Sequence, residues 1–347
     1  MISVIEEKIE VGDAVDKLLG YLISVKAEFD KYDKEFTSEA HKIKILIDRK
    51  KEIFNKLDEY YESIWVIFKN LSEIKIQLNK KYCEDRLLPY LTDDIEINAY
   101  IRNKPLGYAG DYVTMNYIFD FHKDRFLGST LYAKLLNNYS CNIDVSCSNI
   151  FRKDYLKNKI SGLFRRSNVK ILSIGCGPAR ELIELAQQNN FLHNIEYHLL
   201  DLEKNAINFV RTELNKIDYD KNKLKINYHL IDLITLVKDS KLKQKFYDFD
   251  LIYISGVFDY LSDRLCQKVV YSLLDSIKTS GEMIVFNMSI EKSKNRAFYE
   301  VLGDWFMNHR SKESILSWKD KIKNSTEFFI DEYPECVSYW ILNIIKK

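Results

Sequence analysis

The chain has 347 residues, 46% of them hydrophobic and 30% charged, which is enough apolar material for a large core and enough length for two structural units. Lys and Arg number 52 against 51 Asp and Glu, a net charge of +1, so no global basic field draws in nucleic acid or an anionic membrane. The six scattered cysteines form no CxxC pair and stand at no zinc-ligand spacing with histidine, so free buried thiols and no metal site are expected.

The first residues lack a basic stretch followed by an unbroken apolar block, and no later run approaches the roughly 18 apolar residues of a membrane span. A cytoplasmic protein without a membrane partner is the expectation. Leu18, Leu19, Tyr21, Leu22, Val25 and Phe29 mark one helical stripe. A second runs from about Thr37 to Leu78 through Leu46, Ile53, Leu57, Tyr61, Ile64, Phe68, Ile74 and Leu78, with steps of mostly three and four. Residues 1–88 are therefore expected to form an all-helical domain, a hairpin or bundle that packs on itself or makes a homodimer with a second copy.

Residues 89–166 change texture. Prolines and glycines punctuate the stretch from Pro89 to Gly128, and Ser129 to Arg166 is helical again. Within it, IRNKPLGYAGDYVTMNYIF predicts a rigid turn at Gly107 and Gly110 presenting Asp111 and Tyr112, followed by a helix; a domain-joining turn packed by tyrosines fits equally well.

From residue 167 to 347 short β-branched runs (VKILSI, IEYHLLD, LKINYHLID, FDLIYIS, GEMIVFNMS) alternate with amphipathic stretches, the pattern of βαβ units and a parallel sheet covered on both faces. STEFFIDEY and CVSYWILNII add a closing hairpin whose final strand runs antiparallel. The segments between strand ends and helices carry the chemistry. In SIGCGPARE, Gly175 can adopt angles closed to other residues, Gly177 lets a ligand approach the main chain, and Pro178 suits a first helical turn. Asp201 ends the second strand, where a carboxylate can accept from both hydroxyls of a ribose, and Asp232 ends the third, placed for an adenine amino group. Ser255 and Gly256 end the fourth. Each aspartate can equally be a helix cap or turn residue. Arg180 stands where a dinucleotide fingerprint wants its third glycine, and no Walker lysine follows, so NAD and P-loop readings fall away.

These motifs resemble those of the class I S-adenosylmethionine-dependent methyltransferases over about Val169 to the C-terminus: GCGPAR resembles motif I, LLDLE the acidic motif, HLIDL the adenine motif and FDLIYISGVFDYLSD the strand-four motif. The resemblance implies an α/β Rossmann-like sheet of seven strands in the order 3-2-1-4-5-7-6. It implies S-adenosylmethionine held by Gly175, Cys176, Gly177, Asp201, Leu202, Asp232, Leu233, Ser255 and Gly256, with S-adenosylhomocysteine as product. Ala179, where a third glycine often stands, should serve as a small residue.

The acceptor is less defined. His198 and His229 alternate with apolar residues inside strands, as satisfied second-face histidines do, and no obvious base stands out. GYAGDY, with DWFMNHR further on, resembles a narrower group, the bacterial methyltransferases related to 3-hydroxypalmitic acid methyl ester synthases. That likeness implies a carboxylate acceptor, a hydroxylated fatty or other organic acid, fixed by Arg102, Tyr108, Tyr112, Arg310 or His309, with Asp111 of the same turn as a further catalytic candidate. Two alternatives stay open: transfer to oxygen or nitrogen of another metabolite, with Asp111, Tyr112, His122 or Asp259 as base, and a non-catalytic donor-binding or scaffold protein. The strand-four end, SGVF, lacks the NPPY-type motif of base methylation, so the expected partner is a small molecule and not nucleic acid.

Overall fold

A computed structural model describes residues 2–322 and 326–347. The chain divides into two compact units, one of Met1–Cys147 with Lys294–Phe306 and one of Ser148–Ser293 with Met307–Lys347. Sequence texture places its boundaries at 88/89 and 166/167 instead, because nothing in local composition marks that Lys294–Phe306 belongs with the N-terminal helices.

The first unit is helical. Helix α1 (Ile2–Glu35) buries Val11, Val15, Leu18, Leu22, Val25 and Phe29, one stripe of its surface. Helix α2 (Glu39–Phe68) starts at Ser38, whose side chain accepts from the His41 amide, and buries Leu46, Ile53, Leu57, Tyr61, Ile64 and Phe68. The stripe predicted to continue to Leu78 breaks here: α3 (Glu73–Leu91) begins anew after Ser72, and its Ile74 and Leu78 are 76% and 70% exposed. Helix α4 (Glu96–Asn103) ends at Lys104 in a left-handed conformation, and α5 (Tyr112–Phe121) and α6 (Leu131–Asn142) follow. Ala297–Leu302, a π-helical turn, inserts Phe298 against Tyr61 and Tyr139 with ring centroids 5.1 and 5.3 Å away. Asp58 accepts from Tyr139 Oη (2.7 Å) and Asn295 Nδ2 (2.6 Å), and Lys80 and Lys104 both bind Asp304.

The second unit follows α7 (Asp144–Leu163) with β1 (Val169–Ile174), α8 (Arg180–Gln188), β2 (Ile195–Asp201), α9 (Lys204–Asn215), β3 (Leu224–Leu230), α10 (Leu233–Lys238), α11 (Ser240–Lys243) and β4 (Phe249–Ile254). Then come α12 (Asp263–Leu273), β5 (Ile277–Met288), α13 (Lys312–Leu316), β6 (Thr326–Asp331) and β7 (Tyr339–Lys346). Ser325, the first residue of the STEFFIDEY run, lies outside the described residues, as does Met1. The seven strands run β3-β2-β1-β4-β5-β7-β6, with β7 antiparallel to both neighbours and the other pairings parallel. Both the order and the reversed last strand match the expectation. Strands β1 and β4 are buried almost throughout, as strands covered on both faces must be. Leu172, Ile174, Ile252, Ile254, Val269, Leu273 and Val285 lead the core of this unit.

On the sheet, His198 and His229 stack with centroids 5.1 Å apart. His198 Nδ1 meets His229 Nε2 at 2.9 Å and its Nε2 meets Glu196 Oε1 at 2.9 Å, so both nitrogens of His198 are satisfied, as the strand alternation suggests. Burial pushes His198 down to about 4, so it is neutral at pH 7. All six cysteines are free. Among the described residues no helix is long and apolar enough to cross a membrane, and no group of acidic, His and Cys side chains could hold a metal ion.

Candidate functional site

The carboxyl ends of β1 to β4 are joined to one another by a short series of contacts. After β1 the chain turns through Gly175 and Gly177, with φ of +64° and +50°. Gly175 N and Cys176 N both donate to Leu200 O of β2, at 2.8 and 3.2 Å. The two glycines differ in what surrounds them. A Cβ on Gly175 would stand 2.3 Å from Val257 Cγ2, whereas one on Gly177 would meet nothing within 4 Å. Gly175 thus serves packing against the β4 turn, and Gly177 presents bare backbone to open space. Ala179, the small residue expected to replace a third glycine, itself has φ +42° at the N-cap of α8, so Pro178 lies just outside the helix rather than in its first turn.

Asp201 is 5% exposed and links the first two turns: Oδ2 accepts from Gly177 N at 2.8 Å and Oδ1 from Glu203 N at 2.9 Å. Burial pushes its carboxyl up while the two amides hold it down. The Cys176 thiol also donates to this carboxylate. The cap of α9 is Glu203, not Asp201. Ile231 N donates to Asp201 O at 3.0 Å, which ties in the β3 end. There Asp232 caps α10, its Oδ2 accepting from Thr235 N at 3.0 Å, while its Oδ1 has no partner among the described residues. Leu202 is 64% exposed beside this edge, and Leu233 is buried in the core, so only its backbone can face a ligand. Cys176 is buried, and burial raises its thiol far above the usual range.

At the β4 end, Ser255 and Gly256 are partly exposed, and Gly256 has φ +79°. A Cβ there would stand 3.5 Å from Nη2 and 3.7 Å from Nη1 of Arg152, a buried arginine of α7. Just beyond, Asp259 is 2% exposed and accepts from Met288 N at 2.7 Å. Burial raises its carboxyl to about 6, against the amide and the charges of Arg152 and Arg310. Sequence reasoning missed Arg152 and Val257. One signal for Arg152 was available: it occupies a position in the buried α7 stripe Val145, Asn149, Arg152, Leu156 and Ile160, where an unpaired cation is out of place.

The residues predicted to fix an acceptor fall into both units. In the helical unit Asp111 is fully buried rather than presented by its turn. Its Oδ1 caps α5 through Val113 N (2.9 Å) and Thr114 N (3.0 Å), and its Oδ2 accepts from Tyr100 Oη at 2.9 Å. Tyr108 and Tyr112 flank it, both half-buried. Arg102 pairs with Glu84 at 2.9 Å, and the His122 ring contacts Cys141 O at 3.0 Å. In the sheet unit Arg310 is 5% exposed, and its guanidinium donates to Asp263, Asn287 Oδ1, Leu261 O and Phe258 O. With those donors engaged, it locks the β4–α12 connection to the end of β5. His309 beside it is half-buried, its Nδ1 3.0 Å from Met307 O.

Residues 172–282 match the family model of a methyltransferase domain. No curated protein matches in sequence. Among solved structures, the chain is similar to a possible exported protein from Bordetella parapertussis, at 13% identity and TM-score 0.56, over 80% of this chain and 97% of that one. It is also similar to magnesium protoporphyrin IX methyltransferase from Synechocystis with bound S-adenosylmethionine, at 11% identity and TM-score 0.42, over 59% and 82% of the two chains. N-methyltransferase NodS from Bradyrhizobium japonicum aligns at 12% identity and TM-score 0.37, over 59% of this chain and all of that one. With strand order, reversed β7 and glycine turn in place, the sheet unit has the Rossmann-like methyltransferase fold, and residues 172–282 of it are the part similar to a methyltransferase domain.

Proposed function

We propose that the protein transfers the methyl group of S-adenosylmethionine to a carboxylate of a small apolar acid, a hydroxylated fatty acid or related compound, giving a methyl ester and S-adenosylhomocysteine. The observation that carries the donor half is the convergence on Asp201, which gathers the ends of β1, β2 and β3 and sets its carboxylate at the edge where a ribose would lie. In this reading Asp232 accepts from the adenine amino group, and the bare face of Gly177, with no atom within 4 Å of where a Cβ would stand, takes the amino-acid portion. These groups bind and orient; the donor's positive sulfur already activates the methyl carbon, so positioning and exclusion of water are what the protein must add.

For the acceptor half, a carboxylate oxygen attacks the methyl carbon as the carbon–sulfur bond breaks, and the electron pair stays on sulfur. No proton moves, because an ordinary carboxylate is already ionised near neutrality. One feature supports this choice. The aspartate of the GYAGDY turn is spent as a helix cap and therefore poorly suited to be a base. Incubation with methyl-labelled donor and a panel of acids, alcohols and amines tests it: base-labile label on an acid is expected, and label on an amine alone would overturn it.

A second reading assigns Asp259, raised to about 6, as base for a hydroxyl or amine. It predicts turnover that rises through pH 6, whereas transfer to a carboxylate stays level above that pH.

A further inference from the structure

Arg152 and Asn149 lie one turn apart on α7 and are 7% and 1% exposed. Arg152 Nη1 and Asn149 Nδ2 are both buried without a hydrogen-bond partner. Asn149 is held in place by Tyr339 Oη, which donates to its Oδ1 at 3.2 Å, and the Arg152 guanidinium lies 4.9 Å from the centroid of the same tyrosine ring. The other side of the guanidinium faces the Gly256 turn, within 3.5 to 3.7 Å of where a Cβ would stand.

An arginine keeps its charge wherever it is placed, and a buried cation without a partner is costly. Among the described residues no carboxylate pairs with this one. Glu181 and Asp259, whose carboxyls feel its charge, are committed elsewhere: Glu181 accepts from Tyr253 Oη at 2.5 Å and Asp259 from Met288 N at 2.7 Å. Its neighbour Lys153 by contrast is bound to Glu184 and Asp154. The guanidinium also bonds Tyr339 and lies 5.8 Å from the Phe286 ring centroid, so what the site holds unspent is one permanent positive charge without a carboxylate, the Nη1 group and the Asn149 amide donor, against a glycine turn whose missing side chain leaves room.

We propose that Arg152, assisted by Asn149, binds a carboxylate of the ligand seated at the Gly256 turn. The fork matches the two oxygens of a carboxylate, and the incoming charge compensates the buried cation. The inference rests on the donor site proposed above. Two carboxylates meet the description, the amino-acid carboxylate of the donor and the carboxylate of the acceptor, and binding measurements separate them.

The test titrates S-adenosylhomocysteine and its decarboxylated analogue into wild type, Arg152→Gln and Arg152→Lys, and titrates 3-hydroxypalmitate into each protein saturated with S-adenosylhomocysteine. If the donor carboxylate is the ligand, Arg152→Gln weakens S-adenosylhomocysteine roughly 10- to 100-fold and leaves the analogue unchanged. Wild type then also prefers the carboxylated compound by a similar factor, a readout that needs no mutant to fold. If the acceptor is the ligand, both nucleosides bind the variants as they bind wild type and 3-hydroxypalmitate loses the same factor. Arg152→Lys, which keeps the charge without the fork, should fall between wild type and Arg152→Gln. Variants that bind all three compounds like wild type, or a wild type that does not discriminate the two nucleosides and whose acid affinity ignores Arg152, would overturn the inference while leaving the donor site standing. A wild type that binds neither nucleoside overturns the donor reading, and this inference with it.

Discussion

Replacing Gly175 with alanine tests how the first and fourth strand ends are fitted together. At φ +64° any Cβ meets its own backbone, which costs roughly 1–2 kcal/mol. The same atom would stand 2.3 Å from Val257 Cγ2, and because β-branched side chains have few rotamers to escape into, overpacking adds about 1–3 kcal/mol. Gly175→Ala alone should therefore destabilise by about 3 kcal/mol. Val257→Ala alone should cost about 1 kcal/mol for a half-buried side chain losing two methyl groups. It also removes the clashing atom, and the next atom of residue 257 is then 3.8 Å from the new Cβ, an ordinary contact. The double variant should thus retain only the backbone strain and the Val257 loss, a total of about 2 kcal/mol, with a favourable coupling of about 2 kcal/mol between the sites. Urea unfolding of the four proteins measures the cycle. Single-site effects that add to within about 0.5 kcal/mol would refute the claimed contact.

Gly177→Ala should behave differently, because no protein atom opposes its Cβ: stability should fall by only about 1–2 kcal/mol of backbone strain, while affinity for S-adenosylhomocysteine drops much further than in Val257→Ala, as calorimetry would report. Asp259 governs a pH effect. Its folded carboxyl is raised to about 6 from the ordinary value near 4, so the folded state holds the proton more tightly and stability is lost as pH rises from about 4 through 6. His198 acts oppositely in the same window, since its neutral ring loses favour as pH falls. The comparison is therefore with Asp259→Asn, whose stability relative to wild type should rise by up to about 3 kcal/mol between pH 4 and 7 in denaturant titrations; a constant difference would contradict the assignment.

How much of this was legible beforehand follows from what each feature depends on. The strands and the reversed last one were readable because β-branched and aromatic runs are local, as were the glycine turn and the aspartates that end β2 and β3, whereas the order of the sheet followed only from the family the motifs resemble. Arg152 was not, because its meaning depends on burial beside Gly256, more than a hundred residues away in sequence, and a single basic residue in a helix resembles a solvated one. Asp111 and Arg310 were read as polar groups awaiting a ligand. Their partners are backbone groups and side chains that a motif does not display, so capping and loop-locking stayed hidden. The break between Phe68 and Glu73 was masked because the apolar spacing carries on across it, although Ile74 and Leu78 face solvent. Excursion of Lys294–Phe306 into the helical unit has no compositional mark at all.

The account depends most on Asp201 joining the strand ends around a nucleoside. Calorimetric titration of S-adenosylhomocysteine into wild type and Asp201→Ala addresses it directly. One equivalent should bind wild type, and the variant, still folded by circular dichroism, should lose roughly 10- to 100-fold in affinity as its charge-assisted hydrogen bonds disappear. Absence of binding to wild type, or unchanged affinity in the variant, would contradict the account.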